Sequence, residues 1–64
     1  MPIYRVHFWL DGQHYGPFDL EAPDATAGLT EAIMEAAASG VAFDGYYEHT
    51  IAEQDAEGYW RLLE

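Results

Sequence analysis

Three histidines, His7, His14 and His49, are the side chains best suited by type to hold a metal or move a proton near neutral pH. Their spacing argues against both. There is no His-x-His and no His-Glu-x-x-His, so no pair is preset on one strand face or one helix turn. In the strand register derived below, His7 and His14 fall on opposite faces, and His49 belongs to a different hairpin. These read as half-exposed strand histidines with no metal and no cofactor. In so acidic a chain their pKa values should tend upward. The carboxylates are too numerous for any one pair to stand out. Glu31 and Glu35 lie one helical turn apart and repel slightly, and Asp44, Gly45 and Glu48 do not follow the calcium-loop pattern. General acid–base work would need a pocket that holds carboxylates in contrasting environments. Ser39 is the only serine and has no histidine near it in sequence; Thr26, Thr30 and Thr50 have no activating context. The glycines show neither GxGxxG nor Walker spacing. The expectation is a protein that is not an enzyme.

The elements that must position these residues are few. Pro23 to Ser39 is the one convincing helix, with Ala25, Leu29, Ala32, Ile33 and Ala36 along one apolar stripe. Pro23 suits a first helical turn, Asp24 favours the positive end of the helix dipole, and Ser39-Gly40 supplies the stop. Gly28 marks either a close backbone approach or a weak first turn. The stripe is mostly alanine, so the surface it packs on must supply the bulk.

Ile3 to Leu10 alternates as a strand, with Tyr4, Val6, Phe8 and Leu10 on one face and Ile3, Arg5, His7 and Trp9 on the other. Asp11-Gly12 signals a hairpin, and Tyr15 to Leu20 returns. A two-residue turn would set Val6 opposite Pro17, mixing apolar and polar faces. A three-residue connection, Asp11 to Gln13, sets Val6 opposite Phe18, Tyr4 opposite Leu20 and Arg5 opposite Asp19, and is preferred. Pro17 lacks an N–H and puts this strand at a sheet edge. Tyr46 to Glu53 and Tyr59 to Leu63 form a second hairpin around an acidic loop. The whole chain, 1–64, thus reads as one α+β domain in ββαββ order. Its four-stranded antiparallel sheet carries one helix on one face, with Leu29 and Ile33 packed on Val6, Phe8 and Phe18. A right-handed crossover gives the strand order 2-1-3-4. The face away from the helix holds Trp9, Tyr15 and Trp60, which suggests self-association as a homodimer or a partner.

Composition narrows the partners. A 64-residue chain buries only about 60% of its unfolded surface. Cysteine is absent, so no disulfide can reinforce it and the redox compartment is not readable. Ten aromatic residues are available for packing instead. No basic segment with an apolar run opens the chain, and no run is long enough to span a bilayer, so it reads as cytoplasmic. Twelve carboxylates face two arginines and no lysine, a formal net charge of −10. Direct nucleic-acid or anionic-membrane binding is disfavoured, because phosphate contacts need Lys and Arg. A basic protein partner is favoured. The carboxylates expected to meet it are Asp24, Glu31 and Glu35 on the helix, Asp11, Asp19 and Glu21 on the first hairpin, and Asp55, Glu57 and Glu64 near the last.

In size, acidity and layout the chain resembles the small phage-encoded anti-CRISPR proteins, several of which act as DNA mimics. That resemblance implies a cytoplasmic inhibitor in a bacterial host. It would bind the basic DNA-recognition surface of a CRISPR effector and keep target DNA away. It carries over no individual residue. The other reading is a small homodimeric interaction module whose acidity is incidental. A third, ranked lower, is a small-molecule site built at an oligomer interface from Trp9, Trp60 and the tyrosines.

Overall fold

The computed structural model describes residues 1–63. Its elements run β1 (Ile3–Leu10), β2 (Gln13–Glu21), α1 (Ala25–Ala38), β3 (Tyr47–Gln54) and β4 (Trp60–Leu62). All strand pairings are antiparallel and the order is β2-β1-β3-β4, with α1 packed on one face. The ββαββ, α+β architecture and the strand order expected from the sequence are those observed, with Pro17 on an edge strand.

The first hairpin reaches the expected register by a different route. Asp11 and Gly12, with φ of 52° and 77°, form a two-residue turn that pairs Leu10 with Gln13, Trp9 with His14 and Phe8 with Tyr15. Both φ values are positive, as a type I′ hairpin turn requires. Between Phe8 and Val6 the register shifts by one, so Val6 meets Phe18, Arg5 meets Asp19 and Tyr4 meets Leu20. The extra residue lies in the Gly16-Pro17 stretch of β2, whose peptide bond is cis. Gly16 has φ 121°, and a Cβ there would come within 3.0 Å of the Val6 carbonyl oxygen, so only glycine fits the bulge. A uniform three-residue connection is therefore wrong for the half of the hairpin next to the turn.

Asp24 stands just outside the helix as its N-cap, with its Oδ1 accepting from the Ala27 N–H at 2.8 Å. Pro23 precedes it and is not helical. At the other end Gly40 takes φ 100°, its N–H donates to Ala37 O, and the Val41 N–H donates to Ala36 O at 3.1 Å. That is the Schellman closure, and it satisfies carbonyls the helix leaves open. The stripe facing the sheet is centred on Gly28, Ala32 and Ala36, which are buried, while Ala25, Leu29 and Ile33 flank it half-buried. Ile33 is thus a shoulder of the core and not its centre.

Small residues on α1 let the sheet supply the volume. Tyr4, Val6, Phe8 and Ile51 form the buried layer, with Ala22, Ala32 and Ala36 above and beside them. Gly28 is the closest approach: a Cβ there would stand 3.0 Å from Tyr4 Cδ2. Phe43, in the connector after the helix, packs edge-on against Phe8 at 5.1 Å and against Tyr47 at 5.1 Å. It closes the end of the core that the helix does not cover.

Candidate functional site

One face of the sheet carries the helix, and the other is open. On β1 the open face presents Ile3, Arg5, His7 and Trp9, because their neighbours Tyr4, Val6 and Phe8 all point into the core. Cross-strand pairing adds Asp19 and His14 from β2, Thr50 and Ala52 from β3, and Leu62 from β4. Two polar–aromatic groups occupy the middle of this face.

The first group is centred on Arg5. Its Nε and Nη2 donate to the two carboxylate oxygens of Asp19, each at 2.8 Å, a fork-to-fork ion pair. The same guanidinium lies 4.2 Å from the centre of the Trp60 ring, a cation–π contact. It reaches β4 across Ala52, the small residue opposite Arg5 on β3. The hydrogen bond from Arg5 holds the Asp19 carboxyl below its usual range, against a smaller upward push from partial burial.

The second group joins His7, His14 and Trp9. His7 Nδ1 and His14 Nε2 approach to 2.7 Å, and the two rings are near-parallel with centroids 5.0 Å apart. Trp9 lies 6.0 Å from the His7 ring and 5.2 Å from the His14 ring. The sequence register had placed these histidines on opposite faces. The bulge reverses the facing of every β2 residue on the turn side of it, so His14 shares the open face with His7. The expected rise of histidine pKa values is also wrong for His7. Burial, then the neighbouring His14 and Arg5, hold it below the usual imidazole range, with Asp19 opposing. His49 pairs with Phe8 on the helix side, with Tyr47 at 6.3 Å.

The same reversal corrects the aromatic face. Trp9 and Trp60 lie there, half-buried, but Tyr15 does not. It sits opposite Phe8 on the core side and packs against the hydrophobic core. The clue was available in the Gly-Pro pair inside a strand, a common mark of a bulge.

The acidic candidates divide by what their oxygens already do. Asp19 is committed to Arg5. Asp24 caps α1 and is not part of an outer stripe with Glu31 and Glu35. Asp55 Oδ1 accepts from the Glu57 and Tyr59 N–H groups, both at 2.9 Å, and so holds the β3–β4 turn. Asp11 occupies the first turn. Glu21 ends β2, Glu57 lies in the second turn, and Glu31 and Glu35 lie on the outer side of α1; all four are exposed. Glu64 lies outside the described residues. The second arginine, Arg61, pairs with Glu53 at 3.4 Å.

Two depressions of about 40 and 80 Å³ mark the surface. One is lined by Asp11, Asp44 and Tyr46 among others, the second by Ala25, Thr26, Leu29 and Ile51. Both are far below the roughly 300 Å³ of a typical small-molecule site. Among the described residues no three His, Cys, Asp or Glu side chains converge as a metal site. No described helix is long and apolar enough to cross a membrane. No protein-family model, curated protein or solved structure matches the chain.

Proposed function

We propose that the chain is an acidic inhibitor-type protein that binds the basic nucleic-acid-binding surface of a partner and keeps nucleic acid away, as anti-CRISPR DNA mimics do. Its work would lie in the cytoplasm of a bacterial host and need no catalysis. One observation carries the reading. Both arginines are engaged in ion pairs, so the net charge of −10 is displayed without an unpaired arginine or lysine among the described residues. A single DNA strand carries about one phosphate per 3.4 Å. The helix cannot reproduce that density alone: at about 1.5 Å rise per residue, Glu31 and Glu35 stand about 6 Å apart along its axis. Glu57 and the turn acids must therefore contribute.

Binding of this kind weakens with salt, because exposed charges are screened over about 8 Å at physiological ionic strength. Pull-down of purified CRISPR effectors and DNA-binding proteins, followed by DNA competition, tests it. Glu31→Lys with Glu35→Lys should abolish capture with the fold intact, and the Glu→Gln pair should give a partial loss. A partner that binds with DNA still in place, or that resists both high salt and the lysine reversals, would overturn mimicry.

A second reading rests on the open face. Trp9, Trp60, Ile3 and Leu62 leave apolar surface unshielded, and Leu62 is 65% exposed. A homodimer or a docked protein would cover it. In that case Trp9→Ala and Trp60→Ala, and not the glutamate reversals, would abolish association.

A further inference from the structure

We propose that His7 and His14 together form a two-imidazole site for a borderline divalent transition metal (Zn²⁺, Ni²⁺ or Cu²⁺) on the open face of the sheet. Three observations converge on it. First, the two ring nitrogens already aim at one another at 2.7 Å. Two nitrogens bound to one tetrahedral metal at about 2.0–2.1 Å stand about 3.3 Å apart. Ring centroids 5.0 Å apart with nitrogens at 2.7 Å set the two rings edge to edge, so a metal between them needs the rings to part by about 0.6 Å and to tilt until both nitrogens point at it. Second, the rings are held in place. His7 is half-buried, edge to edge with His14 and 6.0 Å from the Trp9 ring, while His14 is exposed, two residues from the turn, and able to give. Third, the pair exists only because of the bulge. Gly16 accepts a φ that other residues avoid, and one ladder step is lost. In return His14 is re-aimed onto the face of His7, a common use of a bulge. The bulge also turns Tyr15 into the core, so both consequences share one backbone feature.

The ligand class follows from the donors. Imidazole nitrogen suits zinc, nickel and copper, whereas Mg²⁺ and Ca²⁺ require oxygen donors that this pair lacks. A chain of net charge −10 raises the local concentration of any divalent cation. Two imidazoles leave at least two coordination positions to water or an added ligand, so the affinity falls below that of closed four-ligand sites.

Trp9, 5.2 Å from the His14 ring, is a built-in reporter. The test titrates the full chain with Cu²⁺ or Ni²⁺ alone and follows tryptophan fluorescence, alongside calorimetry. Saturable quenching with one ion per chain is expected, together with a metal-dependent rise in thermal midpoint. His14→Gln, at an exposed position, should weaken binding by at least about tenfold and remove the thermal shift. His49→Gln, on the other side of the sheet, should change neither. Trp9→Phe should remove most of the quenching while calorimetry still records the ion. Binding should also fade as pH drops, because the proton competes for the imidazole. Absence of saturable binding overturns the proposal. So does equal weakening by His14→Gln and His49→Gln, which would mean scattered surface histidines.

Discussion

Replacing Gly28 by alanine sets two effects of opposite sign against each other at one atom. Mid-helix Gly→Ala is worth about 1 kcal/mol in favour of the helix. Against it, the new methyl would stand 3.0 Å from Tyr4 Cδ2, 3.3 Å from Cγ and 3.6 Å from Cβ. Cβ and Cγ lie on the axis about which the ring turns, so ring rotation relieves the Cδ2 contact and leaves the one at Cγ. Tyr4 is 4% exposed, so a shift to make room displaces core side chains packed around it. Overpacking of a filled core costs about 1–3 kcal/mol. The sum predicts a net loss of about 1 kcal/mol, equivalent to a fall of about 4–8 °C in the thermal midpoint of a domain this small. Urea denaturation of Gly28→Ala beside the parent measures it. Met34, 66% exposed in mid-helix, provides the calibration: Met34→Ala against Met34→Gly reads the propensity term without a contact. If Gly28→Ala stabilises the protein by that calibrated amount, helix and sheet are not in the close contact described, and the packing argument fails.

Two further outcomes follow from single groups. Asp24→Ala should cost about 1 kcal/mol of stability through the lost N-cap. Denaturation should show this while partner affinity stays close to the parent's, since that carboxylate is committed to Ala27. His7 should titrate by NMR below the ordinary imidazole value of about 6.5. Its folded pKa is depressed, so the unfolded chain binds the proton more tightly. Stability is then fully present above the unfolded value and declines as pH falls from there toward the folded value. Compared with His7→Gln over the same interval, a parent whose relative stability rises as pH falls would contradict the burial of His7.

The element order, the edge position of β2 and the strand order were legible because each rests on a strong local signal. Ile3–Leu10 alternates cleanly, Ser39-Gly40 stops a helix, and Pro17 cannot donate to a neighbouring strand. The Arg5–Asp19 pair was legible because Arg5, Val6 and Tyr4 agree on one register. Near the turn the same reasoning failed. Alternation carries facing information only while the ladder is unbroken, and one inserted residue at Gly16-Pro17 inverted His14 and Tyr15 together. The helix stripe was legible at Ala32 and Ala36 but left out Gly28 and leaned toward Leu29 and Ile33. Hydrophobicity marks Leu29 and Ile33 as the inner face, whereas the closest packing selects the smallest side chains, Gly28, Ala32 and Ala36. The roles of Asp24 and Asp55 were hidden because a carboxylate that caps an N–H and one that faces water look alike in a composition.

That difference decides how the acidic surface should be weighed. Asp19, Asp24 and Asp55 hold a strand pair, a helix end and a turn, and the chain would need them whatever it bound. Glu31 and Glu35 are different. They are exposed on the outer side of α1, have no basic residue on their own helix, and repel one another at a spacing of four. Nothing in the packing of α1 requires a charge at either position. Lysine at one of them would relieve the repulsion and form an intrahelical pair worth about 0.2–0.5 kcal/mol. Two uncompensated carboxylates at sites where a stabilising cation would fit are what the proposed basic partner would require. The open face lies on the opposite side of the sheet from α1; there Asp19 is paired with Arg5, and the register also places Glu21 and Glu48 on it. Substitutions at Glu31 and Glu35 therefore leave Trp9 and Trp60 untouched, and the converse also holds. An interaction abolished by both sets would require a partner that wraps the molecule, which mimicry of a nucleic-acid strand along one side does not provide.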